Sequence, residues 1–203
     1  MKLYYFPGAC ALASHIVLEW IGLPYETQAM THEELKQPDF LALNPVGSVP
    51  VLTDGPLVLT QSAAILEYLA EKYPDAALIP QDIAERADTR RWLGFVNSDL
   101  HPTFTPIFRK AAYSSDASCQ DQIAASSTVR ARHLFEIINK QLEGKQWVTG
   151  KRSIVDPYLY TVICWTRMLK IDLSDLHNVQ AFYERMSADA GVQAARKAQS
   201  QQQ

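Results

Sequence analysis

Short strand-like runs alternate with longer runs at helical spacing over the first eighty positions of the chain. Lys2 to Phe6 is a brief aromatic-rich run stopped by Pro7-Gly8, which predicts a strand and a turn. Residues 11–21 carry Leu12, Ile16, Leu18 and Trp20 with no Pro or Gly, and Gly22 closes them as a helix C-cap would. Tyr25-Glu26-Thr27-Gln28-Ala29 alternates in character and predicts a second strand. A helix over 33–43 follows, ending at Asn44-Pro45-Val46-Gly47. Val49 to Thr53 and Leu57 to Thr60 flank Asp54-Gly55, a hairpin signal. A helix over 62–73 comes next, with Ile65, Tyr68, Leu69 and Tyr73 on one face, and Pro74 ends it.

The resulting order, β-α-β-α-β-β-α, predicts a mixed sheet, partly parallel, with an antiparallel hairpin at its edge. It is the element order of a thioredoxin-like domain. Residues 74–81 are bracketed by prolines and predict a linker. Beyond them the strand signals vanish. Asp82-Ile83-Ala84-Glu85 opens a helix to about Leu100, and Pro102 and Pro106 make the next stretch irregular or kinked. Residues 119–143 predict a long helix ended by Gly144, and Ser153-Ile154-Val155-Asp156 starts another that reaches about Leu169. Residues 178–188 predict the last clear helix, and the Gln-Ser-Gln-Gln-Gln tail predicts a frayed end. The division expected is an α/β domain over 1–77 and an all-helical domain over 82–203.

Composition narrows the function. Of 203 residues, 47% are hydrophobic and 20% charged, enough to bury a core. Nineteen basic against 22 acidic side chains argue against a general nucleic-acid binder. No apolar run approaches the roughly 20 residues that span a bilayer, and the opening segment lacks the pattern of a signal peptide. Three cysteines without paired spacing make no disulfide framework, so the expectation is a cytoplasmic protein. Five histidines and three cysteines show no metal-ligand spacing, and no metal is expected.

A few positions carry candidate chemistry. Cys10 stands just before a helix, where free N–H groups and the positive helix end would lower the thiol pKa; the plainer alternative is a small packed hydrophobe. Cys119 and Cys164, inside helical runs, take the plainer reading. Pro50 reads as a proline tolerated at a strand start. Gln61-Ser62 reads either as an ordinary N-cap or as a carboxylate site made from first-turn N–H groups and the Ser62 hydroxyl. His101 ends a helix just before Pro102, a place for either a surface histidine or a catalyst. Ser153 and Asp156 form a capping box whichever function holds. Phe104, Phe108, Arg109, Tyr113, Trp165 and Met168 are candidates for an apolar wall, though such residues are more often core.

Taken together, Lys2-Leu3-Tyr4-Tyr5-Phe6-Pro7-Gly8-Ala9-Cys10-Ala11-Leu12-Ala13-Ser14-His15, Asn44-Pro45-Val46-Gly47-Ser48-Val49-Pro50-Val51-Leu52, Leu59-Thr60-Gln61-Ser62-Ala63-Ala64-Ile65, Asp99-Leu100-His101, Ser153-Ile154-Val155-Asp156 and Leu173-Ser174-Asp175-Leu176 resemble the bacterial beta class of the soluble glutathione transferases in order and spacing. The resemblance implies a cytoplasmic homodimer that joins reduced glutathione, its co-substrate, to small hydrophobic electrophiles. It places Ala9 and Cys10 beside the glutathione sulfur, where Cys10 can form a mixed disulfide, with Tyr5 lining the same site. It implies a cis bond before Pro50, exposing the Val49 N–H and C=O to the ligand's cysteinyl backbone. Ser62 and the helix end would take the γ-glutamyl carboxylate. Gln61 stands where the class usually has an acidic residue, and Pro102 where it has a basic one. His101 would stabilise a sulfur anion, as a neutral donor or as a cation. Asp99 would reach the neighbouring subunit's glutathione, and His32 or Lys36 the glycyl carboxylate. His15 and Ser14 would face the sheet or the interface. Two other activities fit the same residues: a glutathione-dependent thiol–disulfide reductase acting through Cys10, and a non-catalytic ligand carrier.

Overall fold

The computed structural model describes residues 1–201. Its first part contains β1 (Lys2–Tyr5), α1 (Ala11–Ile21), β2 (Glu26–Ala29), α2 (Pro38–Leu43), β3 (Val51–Asp54), β4 (Leu57–Thr60) and α3 (Ser62–Lys72). The sheet runs β2-β1-β3-β4, with β1 parallel to β2 and antiparallel to β3. Leu3 sits opposite Thr27 and Leu52, and Asp54 opposite Leu57 across the predicted hairpin. Because side chains alternate across a sheet, Leu3 and Leu52 point to one face and Tyr4 and Val51 to the other. The first pair joins Ile16, Ile65 and Leu69 in the main core. On the opposite face Val51 packs with Met30 and Phe40, which brings α2 over the sheet. This is a thioredoxin-like α/β unit, followed by a helical half.

The expected helix over 33–43 is split. A 3-10 turn covers Glu34–Lys36, and α2 begins only at Pro38, because proline is favoured in a first turn and forbidden in an interior. The expected linker is a packed connection. Leu78 and Ile79 are buried, and the Leu78 carbonyl accepts from the Ile154 N–H at 3.0 Å. One apolar core therefore runs through both halves, from Leu3 to Ala195.

The second half holds α4 (Ile83–Gly94), α5 (Thr105–Phe108), α6 (Ala117–Gln141), α7 (Val155–Met168), α8 (His177–Ala188) and α9 (Ala190–Ser200). Between α4 and α5 the backbone widens to a π-helical turn over Phe95–Leu100 and then tightens to 3-10 over His101–Phe104. The expected irregularity at Pro102 and Pro106 is thus local rewinding in a nearly continuous helical rod. The capping box forms. Asp156 accepts from the Ser153 N–H at 2.7 Å and from the Val148 N–H at 3.0 Å, and the Ser153 hydroxyl accepts from the Val155 N–H at 3.3 Å. Burial nevertheless pushes the Asp156 carboxyl up to about 6. Pro157 falls in the first turn, where its missing N–H costs no helical bond.

The chain's end is the largest departure from expectation. Where a frayed tail was predicted from residue 199, α9 continues to Ser200 and packs along α1. Asp189 caps it, accepting from the Val192 N–H at 3.0 Å, and the same oxygen accepts from the Trp20 indole at 2.7 Å. Gly191 lies so close to Trp20 that an added Cβ would sit 2.6 Å from the ring, which only glycine avoids. Gln202 and Gln203 lie outside the described residues.

Candidate active site

Pro7-Gly8 makes the turn that aims the chain into the site. The Ala9 N–H donates to the Phe6 carbonyl at 3.0 Å, and Gly8 takes φ +78°, the combination a type II turn requires. Cys10 follows as the N-cap of α1, half-buried, with its thiol 3.5 Å from the Val49 carbonyl oxygen. The Val49-Pro50 bond is cis. Gln61, at φ 71°, is the N-cap of α3 and makes no side-chain cap. Such a backbone conformation in a non-glycine residue costs on the order of 1–3 kcal/mol and persists where surrounding structure enforces it. Ser62 is the first helical residue rather than a cap. Its buried hydroxyl shares the cleft with Cys10 and Tyr158 instead of closing its own helix.

These groups meet others from the second half across a cleft of about 290 Å³, whose walls include Cys10, Ser48, Val49, Ser62, His101 and Tyr158. Asn97 and His101 stand four residues apart on the rewound segment, so both face inward. The Tyr158 hydroxyl lies 2.6 Å from His101 Nδ1 and donates to Asn97 Oδ1 at 3.2 Å. With that donation its oxygen accepts from Nδ1–H, and Nε2 of His101 is left as an acceptor.

Charge states differ from expectation at two positions. Burial pushes the Cys10 thiol up, outweighing the Ser62 hydroxyl and the N–H groups of Cys10 and Ala11 that favour the thiolate. Cys10 is therefore a thiol near neutral pH, not the helix-stabilised thiolate its position suggested. Burial also lowers His101 to about 4, so its ring is neutral at pH 7 and the cationic alternative drops out. The Tyr158 hydroxyl is held protonated for the same reason.

Other expected site residues are placed elsewhere. Tyr5 is fully buried beside His15, with ring centroids 5.7 Å apart, so it does not line the sulfur site. The strand's alternation turns it into the protein. His15 is buried between Tyr5 and Tyr25, and Ser14 is buried as well. His32 and Lys36 are exposed and outside the cleft walls, the His32 ring resting on Phe6 at 4.5 Å. Asp99 is exposed on the far side of the π turn from Asn97. Cys119, expected to be packed, is exposed, while Cys164 is half-buried.

The apolar wall is also corrected. Phe104 is wholly buried and Trp165 nearly so, which makes them the support behind the site rather than its surface. Trp165 packs edge-on against His101 at 4.7 Å, Phe104 at 5.5 Å and Phe108 at 5.6 Å. Phe108 is 44% exposed and Tyr113 52%, and Arg109 and Met168 are exposed as well; none of the four is among the cleft walls. Asn97 and Tyr158 were missed by sequence reasoning. Tyr158 looks like core, and only its place in the first turn after the capping box could have singled it out.

Comparison with known proteins follows the same division. The family model "Glutathione S-transferase, N-terminal domain" matches residues 1–71, and "Glutathione S-transferase, C-terminal domain" matches 100–190. The chain is 42% identical over 201 residues to glutathione S-transferase GST-4.5 of Xanthomonas campestris pv. campestris, covering 98% of each. Among solved structures, the glutathione S-transferase from Xylella fastidiosa superposes with a TM-score of 0.94 at 40% identity, over 98% of each chain. A bacterial beta class glutathione S-transferase of Sphingomonas chungbukensis gives 0.87 at 33%, again over 98% of each. A cleft shared between a cis-proline sheet edge and a rewound helix, on a chain matched along nearly its whole length, is accounted for in one way: this chain belongs to the glutathione S-transferase family of enzymes.

Proposed function

We propose that the cleft binds reduced glutathione and transfers its sulfur to small hydrophobic electrophiles, in a homodimer of the beta class type. The observation that carries this reading is the meeting of three kinds of group around one space. These are the Val49 carbonyl and Cys10 thiol, the open first turn of α3 with Ser62, and the His101–Tyr158 pair. The first matches a cysteinyl backbone and sulfur, the second a carboxylate, and the third a thiol proton, which the free Nε2 of His101 can accept. Residues 1–77 would supply glutathione contacts and 82–203 the electrophile side.

The chemistry follows from the protonation states. A free thiol of pKa about 8.5 is only a few per cent thiolate at pH 7, so the site gains rate by favouring the anion. Hydroxyl donors do this without a charge. The Ser62 hydroxyl, on the cleft wall beside Cys10, is such a donor, whereas the Tyr158 hydroxyl donates to Asn97 and holds the His101 ring in place. His101 Nε2, left as an acceptor, is suited to take the thiol proton, although its lowered basicity limits it to passing that proton on to water. The sulfur then attacks the electrophilic carbon; a C–S bond forms, and in an aromatic displacement the halide leaves with its electron pair.

A protonated, half-buried Cys10 is a weak nucleophile, which favours conjugation over disulfide reduction. Phe108 and Tyr113 are the exposed rings that would meet an apolar electrophile. Asp99, exposed on the rewound segment, is available to a ligand bound by a second subunit. Calorimetry with glutathione and turnover of chlorodinitrobenzene test the proposal together. Saturable binding with turnover is expected, and the absence of both heat and product would overturn it.

A further inference from the structure

The turn that delivers Cys10 is fastened by the far end of the chain. The Gly8 N–H donates to Gln199 Oε1 at 3.3 Å, and the Gly8 carbonyl accepts from the Trp165 indole N–H at 2.8 Å. Both free backbone groups of one glycine are therefore held by side chains of the helical half. Gln199 is buried, 5% exposed, on the inner face of α9, and its amide nitrogen lies 3.3 Å from His15 Nδ1. A buried glutamine without partners would be costly; here both ends of the amide are satisfied, one on the turn and one on α1. Asp189 and Gly191 fix the start of α9 against Trp20, so the helix is pinned at its N-terminus and reaches the site at its C-terminus.

We propose that Gln199 is a positioning residue for the glutathione site, acting through Gly8 to hold Ala9 and Cys10 in place. The proposal rests on the reading of the cleft as the glutathione site. A type II turn with exposed outer peptide groups has nothing of its own to fix its tilt, and two bonds from opposite sides supply that restraint. Cys10 is only two residues further, and its thiol faces the Val49 carbonyl, so a tilt of the turn changes the spacing of the two groups that would flank the ligand's sulfur. Loosening should weaken ground-state capture of glutathione and expose the Cys10 thiol, while leaving the His101–Tyr158 pair untouched.

The test uses the full chain with Gln199→Met, which keeps length and bulk but removes both polar ends. Gln199→Asn, one methylene too short to bridge, serves if the first variant does not fold. The expected result is a KM for glutathione raised about fivefold to tenfold, the size of one lost hydrogen bond, with kcat changed less than about twofold. Alkylation of Cys10 by iodoacetamide, read by mass spectrometry well below each melting temperature, should quicken by a similar factor. Gln199→Glu, which keeps an oxygen acceptor for the Gly8 N–H, should restore most of the affinity. Unchanged KM and unchanged alkylation in a folded Met variant would overturn the proposal, as would equal losses in the Met and Glu variants. An absence of glutathione binding in the unsubstituted chain would instead remove the functional reading itself, whatever the variants do.

Discussion

The two walls of the cleft are built differently. On the sheet side the groups at the cleft are largely backbone: the Val49 carbonyl, the first-turn N–H groups of α3, and the Pro7-Gly8 turn before Cys10. On the helical side they are side chains, Asn97, His101 and Tyr158, backed by the buried Phe104 and Trp165 rings. Backbone geometry at the Pro7-Gly8 turn and the start of α3 follows from local sequence. Side-chain geometry depends on how a rod is wound and on what packs behind it, here a π turn followed by a 3-10 turn. A wall of the first kind suits one constant ligand, and a wall of the second kind can be altered to admit different electrophiles.

The contrast can be broken at its support. Asp156→Ala leaves the Val148 and Ser153 N–H groups without an acceptor in the core. It should cost about 3–5 kcal/mol in chemical denaturation, while Ser153→Ala should cost about 1 kcal/mol and leave the kinetics of folded protein unchanged.

His101 sharpens the contrast through pH. Its folded pKa, about 4, lies below the unfolded value near 6.5, so the unfolded chain takes its proton first as pH falls. The stability of the protein relative to His101→Asn should be constant above pH 6.5 and decline by at most about 3 kcal/mol between 6.5 and 4. His15, lowered by burial, acts in the same direction and Asp156, raised, in the opposite one, and both cancel in this difference. A flat difference would mean that the ring is not desolvated.

Ser62→Ala tests the backbone wall. If Ser62 holds the carboxylate as proposed, removing its hydroxyl should weaken glutathione binding by about tenfold to a hundredfold in calorimetry, with little effect on the KM for the electrophile. The smallest effect is expected on the helical side. Phe108→Ala should raise the electrophile KM only a few-fold and leave glutathione affinity unchanged, because the ring is partly exposed. If the two substitutions exchanged their effects, the division of labour would be wrong.

Legibility in the sequence followed the same line. Helix α1 ran from Ala11 to Ile21 with Gly22 left-handed after it, as its apolar spacing and C-cap glycine predicted, and β4 fell on Leu57–Thr60. Helix α9 was missed although its buried positions, Val192, Ala195 and Gln199, recur at helical spacing, because the glutamine-rich end resembles a frayed tail and one of the three inward residues is polar. Tyr5 was misplaced because a neighbouring motif drew it to the site, whereas strand alternation buried it. Cys10 was correctly set at a helix start, but its ionisation depends on desolvation, which no local pattern reports.

Sequence alone determined the order of the α/β half, most of its elements, the turns at Pro7-Gly8 and Asp54-Gly55, and the family resemblance, since these rest on residues close together in the chain. Tertiary structure alone decided that residues 8 and 199 touch, that Tyr158 rather than Tyr5 faces the cleft, and that Cys10 and His101 are uncharged. Contacts across the chain and the loss of water around a buried group are properties of the packed whole, and neither is written in any short stretch of residues.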